Sequence, residues 1–187
     1  MSSPAYVPGV SGIEVHDPGF GIEAFLAGAA QTVRLYGRAF AEGRPELVCG
    51  VFAPDLAAGV TSSIKTLVAR GVRLAPDDGS VEMEPVTVRS DGAGDTITIA
   101  VASTWREQSE AGRRYPQRRR EKWEFWRAAG ATTPPPPEAS QPLSLSLCGQ
   151  CGAPFDDDEG PAPVCRFCHV PAPVPPWLWV VARIEPG

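Results

Sequence analysis

The chain has 187 residues, of which 43% are hydrophobic and 21% charged. This balance is typical of a folded globular protein and excludes a disordered one. The formal net charge of −5 argues against general binding to nucleic acid. No apolar run approaches the roughly 20 residues that span a bilayer. The first residues lack the basic and apolar regions of an export signal, so we expect a cytoplasmic protein.

The first part of the sequence predicts an arm followed by three helices. Residues 1–16 show little periodicity and are expected to form a flexible or loosely docked arm. Asp17 and Pro18 fit the cap and the first turn of a long amphipathic helix. Its apolar stripe, like those of the later helices, is interpreted as core packing. The predicted helices cover residues 17–43, 45–52 and 54–71.

After the helices the apolar residues alternate with polar ones, which predicts an antiparallel sheet. Pro85 interrupts the first strand, and the segment 110–112 is interpreted as the tip of a hairpin. The last strand is too apolar to stand alone at a terminus, so it should return to the main sheet. The predicted strands cover residues 81–88, 96–105, 118–127 and 177–184.

Four cysteines near the C-terminus form the most specific motif of the chain. They lie in two C-x-x-C pairs separated by thirteen residues, and they are Cys148, Cys151, Cys165 and Cys168. Each pair can point two sulfurs at one centre, and two pairs complete a tetrahedral thiolate site. The spacing therefore predicts a zinc ribbon over residues 143–170 that holds one structural Zn²⁺.

Other chemistries use the same cysteines. Cys165 to His169 reads C-x-x-C-H, the attachment pattern of a c-type haem, and four thiolates also suit rubredoxin-like iron. Two disulfides are a third alternative. The lack of an export signal argues against haem and disulfides. The fifth cysteine, Cys49, is interpreted as a small core residue.

Two proline-rich segments divide the C-terminal part of the chain. Residues 131–142 and 171–176 are predicted to be extended linkers on either side of the ribbon. The main domain would then consist of residues 17–130 and 177–187. The predicted fold class is α+β, with three N-terminal helices on the concave face of a curved antiparallel sheet and a zinc ribbon inserted before the last strand.

Several segments resemble, in the same order, the Tim44-like domain family in its bacterial form with an inserted zinc ribbon. The E-x-W-x-F-x-R pattern of residues 121–127 and the C-x-x-C-G-A-P pattern of residues 148–154 are the most recognisable. The other segments are residues 40–47, 54–56, 105–112 and 177–184. Together the resemblance covers roughly residues 20–185.

The resemblance implies an NTF2-like or cystatin-like cone with an apolar pocket. The mitochondrial relative is a peripheral inner-membrane protein that tethers a chaperone at the import channel and contacts anionic lipid. By this resemblance we expect a non-catalytic module that recognises a protein or anionic lipid, in the cytoplasm or at the inner face of the membrane. Alternatives are an NTF2-like enzyme or small-ligand binder, a rubredoxin-like electron carrier, and a structural component of a larger assembly.

The sequence contains little that indicates catalysis. Its two histidines, His16 and His169, belong to no recognisable triad, and no phosphate-binding loop is present. Aromatic residues are therefore the candidates for lining the implied pocket, although such residues more often belong to a core. The pocket candidates are Tyr36, Trp105, Trp123 and Phe125.

A cluster of basic residues is the candidate for contact with an anionic partner. In a strand, Arg118, Arg120 and Lys122 would share one face, with Arg119 on the other. Arg113 and Arg114 precede them in the hairpin. The simpler interpretation is a solvated hairpin balanced by nearby glutamates, and the alternative is an electrostatic contact to lipid or to an acidic protein. The acidic run 156–159 could also meet this cluster.

Overall fold

The computed structural model describes residues 9–48, 50–77, 81–109, 112–113, 116–133 and 179–187. In these ranges the protein is a mixed α+β structure with three α-helices and an open, curved antiparallel sheet. The helices are α1 (Val10–Glu14), α2 (Ile22–Glu42) and α3 (Pro54–Ala69), and a 3₁₀ helix spans Pro45–Val48. The strands are β1 (Arg73–Pro76), β2 (Glu82–Asp91), β3 (Gly94–Ser109), β4 (Gly112–Arg113), β5 (Gln117–Ala128) and β6 (Val180–Pro186).

The described part of the expected N-terminal arm belongs to the folded unit. Residues 10–14 form α1, and the side chain of Ile13 is fully buried. A Cβ added to Gly9 would lie 2.3 Å from the carbonyl oxygen of Val88, so the chain passes very close to the backbone of β2 here. The structure thus places residues 9–16, the described part of the expected arm, in the folded unit.

The long helix begins five residues later than the sequence suggested. Gly21 lies before its first turn in an extended conformation, and Gly43 ends it with a φ of 72°, in the left-handed region that glycine adopts readily. Asp17 does not cap this helix, because its buried carboxylate binds other partners. The predicted helix over residues 54–71 is confirmed, with Pro54 in its first turn.

The sheet is organised around β3, which pairs with β1, β2, β4 and β5. Strand β6 pairs with the other edge of β5, so the order across the sheet is β1-β3-β5-β6, with β2 and β4 also beside β3. Pro85 marks a shift of register between β2 and β3, so its predicted interruption of the strand is confirmed as an irregularity. Strand β1 was not predicted. All four of its side chains are half-buried, so no alternation marks it in the sequence.

The predicted return of the last strand to the main sheet is confirmed. Strand β6 pairs with β5, and Val181 lies opposite Phe125. Val181 also forms backbone hydrogen bonds with Val51 and Ala53, at 2.8 and 2.9 Å. Its side chain is fully buried. The C-terminal strand therefore joins the sheet to the segment between the 3₁₀ helix and α3.

The hydrophobic core lies between the helices and the inner face of the sheet. Alternate residues of β3, such as Ile97, Ile99 and Val101, point into it and are buried. Their neighbours in sequence point outward, where they stay partly exposed. No helix in the described ranges is long and apolar enough to cross a membrane.

Candidate functional site

The four aromatic residues predicted to line a pocket are brought together, and all four are buried. The ring of Tyr36 meets those of Trp105 and Trp123 edge to face, with centroids 5.6 and 5.2 Å apart. Trp123 and Phe125 stack at 6.3 Å. Such arrangements stabilise a core beyond the area they bury. The four residues thus form the centre of the hydrophobic core.

Two of these residues also border open space. Phe125 borders a small cavity of about 130 Å³ against α2. Tyr36 borders an open cleft of about 460 Å³ between α2, α3 and the sheet. The guanidinium of Arg119 lies 4.9 Å above the ring of Trp105 and lines the same cleft. Ligand binding in either space stays a prediction.

The hydroxyl of Tyr36 is unsuited to act as a base. Burial raises the pKa of Tyr36 to about 12, and the charge of Glu121 adds to this effect, while that of Arg119 opposes it. The hydroxyl therefore stays protonated at neutral pH.

A buried charged cluster forms the most polar feature of the interior. Arg127 of β5 has a fully buried side chain that contacts two buried carboxylates. Its Nη1 lies 2.7 Å from Oδ2 of Asp17, and its Nε donates to Oδ2 of Asp95 at 2.9 Å. Thr133 completes the cluster, since its backbone and hydroxyl both donate to Asp17, at 3.0 and 2.7 Å.

The two carboxyl groups of this cluster are held in the charged form. Burial raises the pKa of Asp17, but hydrogen bonds from Thr133 and the charge of Arg127 outweigh it, so the pKa lies below its usual value. Burial also raises the pKa of Asp95, and hydrogen bonds from Ser90, His16 and Arg127 likewise bring it below the usual value.

The cluster ties together segments that are distant in the sequence. It joins the segment before α2 to strands β3 and β5 and to the chain that follows β5. The guanidinium of Arg127 also lies 4.7 Å from the ring centroid of Trp179, just before β6. We interpret the cluster as a structural clasp. Sequence reasoning missed it, although Arg127 follows Trp123 and Phe125 at alternate positions and should share their inward face.

A second set of charges covers the outer side of the sheet, opposite the helices. The predicted alternation along β5 is confirmed, because Arg118, Arg120 and Lys122 are exposed there while Arg119 turns inward. On β2, Glu82 and Glu84 are exposed on the same side. We call this surface the outer face. It consists of the outward residues of β2, β3, β5 and β6.

Four outward residues of β3 each have a residue of β2 on one side and a residue of β5 on the other. From one end of the outer face to the other, these triplets are Glu82–Ala102–Arg120, Glu84–Ala100–Lys122, Thr87–Thr98–Glu124 and Arg89–Thr96–Trp126. The middle residues are small. The outer face therefore has a shallow floor along β3, and at one end it carries an acidic wall, Glu82 and Glu84 on β2, opposite a basic wall, Arg120 and Lys122 on β5.

Several of these charges have no partner in the described part of the chain. Glu84, Arg120 and Lys122 form no ion pair with any residue that the structure describes. Arg118 does contact Glu82, at 3.5 Å, but both side chains are more than half exposed. The outer face thus offers unpaired charges of both signs.

The predicted zinc ligands lie outside the described residues. This applies to Cys148, Cys151, Cys165 and Cys168, and equally to Cys49, Arg114 and the acidic run 156–159. For Arg113, the structure describes the backbone pairing with Gln108. Within the described ranges, no three His, Cys, Asp or Glu residues group so that they could hold a metal ion. The zinc site stays a prediction from the spacing.

Comparison with known proteins gave distant structural similarity and no family. No family model matches the sequence, and no curated protein matches it. Among solved structures, the fold is similar to the intermembrane space region of the chloroplast protein ARC6, with a TM-score of 0.48 and 9% identity. The similarity covers 59% of this chain and 89% of that chain. At this level it supports no argument about family or function.

Proposed function

We propose that this protein is a non-catalytic interaction module that binds a partner through the outer face of its sheet. The observation that carries the proposal is the pair of charged walls on this face. An antiparallel sheet commonly leaves one face to solvent, but Glu84, Arg120 and Lys122 keep their charges unpaired among the described residues. Charges arranged in this way give specificity to a protein contact.

The pattern favours a protein partner over a membrane. An anionic lipid surface would attract Arg120 and Lys122, but it would repel Glu82 and Glu84, which lie about 10 Å away across β3. A protein surface can present both signs at once. The Tim44-like resemblance of the sequence implies both a protein partner and contact with anionic lipid, so the preference for a protein rests on the charges of the outer face.

The proposal includes a zinc ribbon as a second contact surface. Zn²⁺ held by Cys148, Cys151, Cys165 and Cys168 would stabilise a small unit that has little core of its own. A closed site with four thiolates has a structural role, because it leaves no open position for substrate. This part of the proposal rests on the spacing of the cysteines.

Charge reversal on the basic wall tests the proposal. The tagged full-length chain is incubated with native lysate, and retained proteins are quantified for the wild type and for R120E/K122E. The matched control is R34E/K65E, which reverses an exposed arginine and an exposed lysine on the helices. We expect the wild type and the control to retain the same proteins, and R120E/K122E to lose them.

Vesicles provide the lipid arm of the same experiment. Sedimentation with phosphatidylcholine vesicles, with and without phosphatidylglycerol, measures lipid binding of the three proteins. Binding to anionic vesicles alone, lost in R120E/K122E, would make lipid the partner in place of protein. If R120E/K122E behaves like the wild type in both assays, the outer face is not the contact surface and the proposal is wrong.

A further inference from the structure

We infer that the outer face binds the outer face of a second copy of this chain, around a twofold axis that runs along β3. The inference rests on the proposed function, because it names the partner of the surface assigned there. It follows from the placement of charges on the two walls.

A twofold axis along β3 lays the β2 wall of one copy over the β5 wall of the other, at the same level of the sheet. Glu82 then faces Arg120 of the second copy, and Glu84 faces Lys122. Because the axis makes every contact occur twice, the dimer has four such pairs of opposite charge. The two residues of each pair lie at the same level along the strands. The second copy therefore needs no shift in the strand direction to form these contacts.

At the opposite end of the outer face, the surfaces of the two copies are complementary as well. There, Arg89 of one copy lies over Trp126 of the other, because both flank Thr96. Trp126 is 38% exposed, which is unusual for a large aromatic residue in a sheet. A guanidinium above an indole ring forms a favourable cation–π contact. Along β2 the charge changes from negative at Glu82 to positive at Arg89, and the facing residues of β5 change from Arg120 to Trp126.

The floor of the outer face lets the two sheets approach each other. Ala100 and Ala102 lie next to the axis, between the charged walls, and carry the smallest side chains of the outer face. Packed sheets lie about 10 Å apart. The axis superposes β2, β3 and β5 of one copy on β5, β3 and β2 of the other, and three strands spaced about 4.8 Å apart, over about 27 Å of length, give roughly 400 Å² per copy. The total of about 800 Å² is below the roughly 1,000 Å² of a stable specific interface, so we expect a weak, salt-sensitive dimer.

Ion pairs within one copy do not prevent this exchange. Arg118 contacts Glu82 at 3.5 Å, and Arg183 contacts Glu124 at 3.6 Å. Exposed pairs of this kind contribute little to stability, so their side chains can turn to new partners. Glu84, Arg120 and Lys122 need no such change, since they have no ion-pair partner among the described residues.

Sedimentation velocity of the full-length chain with paired charge reversals tests the inference. The variants are E82K/E84K and R120E/K122E, with R34E/K65E as control, and circular dichroism verifies that each folds. We expect the wild type and the control to dimerise reversibly, and each face variant to dimerise at least about tenfold more weakly. An equimolar mixture of the two face variants should restore a dimer, because both of its contacts again join opposite charges.

The outcomes separate this inference from the proposed function. A wild type that dimerises while the mixture stays monomeric would place the dimer contact elsewhere and overturn the inference. A monomeric wild type whose retained lysate proteins are lost in R120E/K122E would overturn the dimer and keep the proposed function. A monomeric wild type with unchanged retention in that variant would overturn both.

Discussion

Replacing Arg127 with methionine tests whether the buried charged cluster is a structural clasp. The side chain of Arg127 is fully buried, and it contacts the carboxylates of Asp17 and Asp95 at 2.7 and 2.9 Å. Methionine fills a similar volume but leaves two buried carboxylates without their cation. Removing one partner of a buried pair generally destabilises a protein by about 3–5 kcal/mol. We therefore expect a loss of this size in the free energy of unfolding.

Urea unfolding followed by circular dichroism measures the effect, with Arg183→Met as the matched control. The side chain of Arg183 is 61% exposed, and its contacts to Glu124 and Glu185 lie at the surface. We expect the unfolding midpoint of this control to stay close to that of the wild type. Equal small losses in the two variants would refute the structural role of the cluster.

The pH dependence of the same two proteins gives a second test. In the wild type, the pKa values of Asp17 and Asp95 lie below their usual values. Their stabilisation is therefore complete above the unfolded value of about 3.9 and is lost as the pH falls through the lower folded values. Without Arg127, both pKa values rise from their wild-type folded values, because its hydrogen bonds and charge no longer lower them, so protonation of the two carboxylates costs the variant less stability. The difference in stability between the two proteins should shrink on acidification, and a constant difference would contradict this reasoning.

Two further predictions concern a glycine and the metal. Gly94 has a φ of 151°, and an added Cβ would lie 2.2 Å from the carbonyl oxygen of Arg127, so Gly94→Ala should destabilise the protein by about 2 kcal/mol or more in urea unfolding. Gly92→Ala, with no atom within 4 Å, is the control, and a similar change in both would contradict the close approach. Metal analysis of protein purified under reducing conditions should find a single colourless zinc ion per chain, and Cys148→Ser should lose it while the sheet still unfolds cooperatively. Iron with visible absorption would favour an electron carrier.

Most of the helices and strands could be predicted from the sequence because local chemistry marks their ends. Pro54 opens α3, Gly43 ends α2, and strict alternation identifies β3. Strand β1 was not predicted because its side chains are uniformly half-buried. Asp17 resembled a helix cap locally, and only the tertiary contact with Arg127 shows that its carboxylate is used elsewhere.

The candidate interaction surface could be predicted only in part. Alternation along one strand separated Arg118, Arg120 and Lys122 from the inward Arg119. Their relation to Glu84 depends on the pairing of β2 with β3 and on the shift of register after Pro85. One strand carries no information about its partner's register, so the opposed charged walls needed the structure.

Zero-length crosslinking tests most directly the central claim in its specific form, that a second copy of this chain contacts the outer face. The chain has two lysines, Lys65 on α3 and Lys122 on β5, so each reports on one side of the protein. Carbodiimide treatment of mixed ¹⁴N- and ¹⁵N-labelled chains, followed by mass spectrometry, should join Lys122 to Glu84 in peptides of mixed label. Intermolecular crosslinks that involve Lys65 and none that involve Lys122 would contradict the claim.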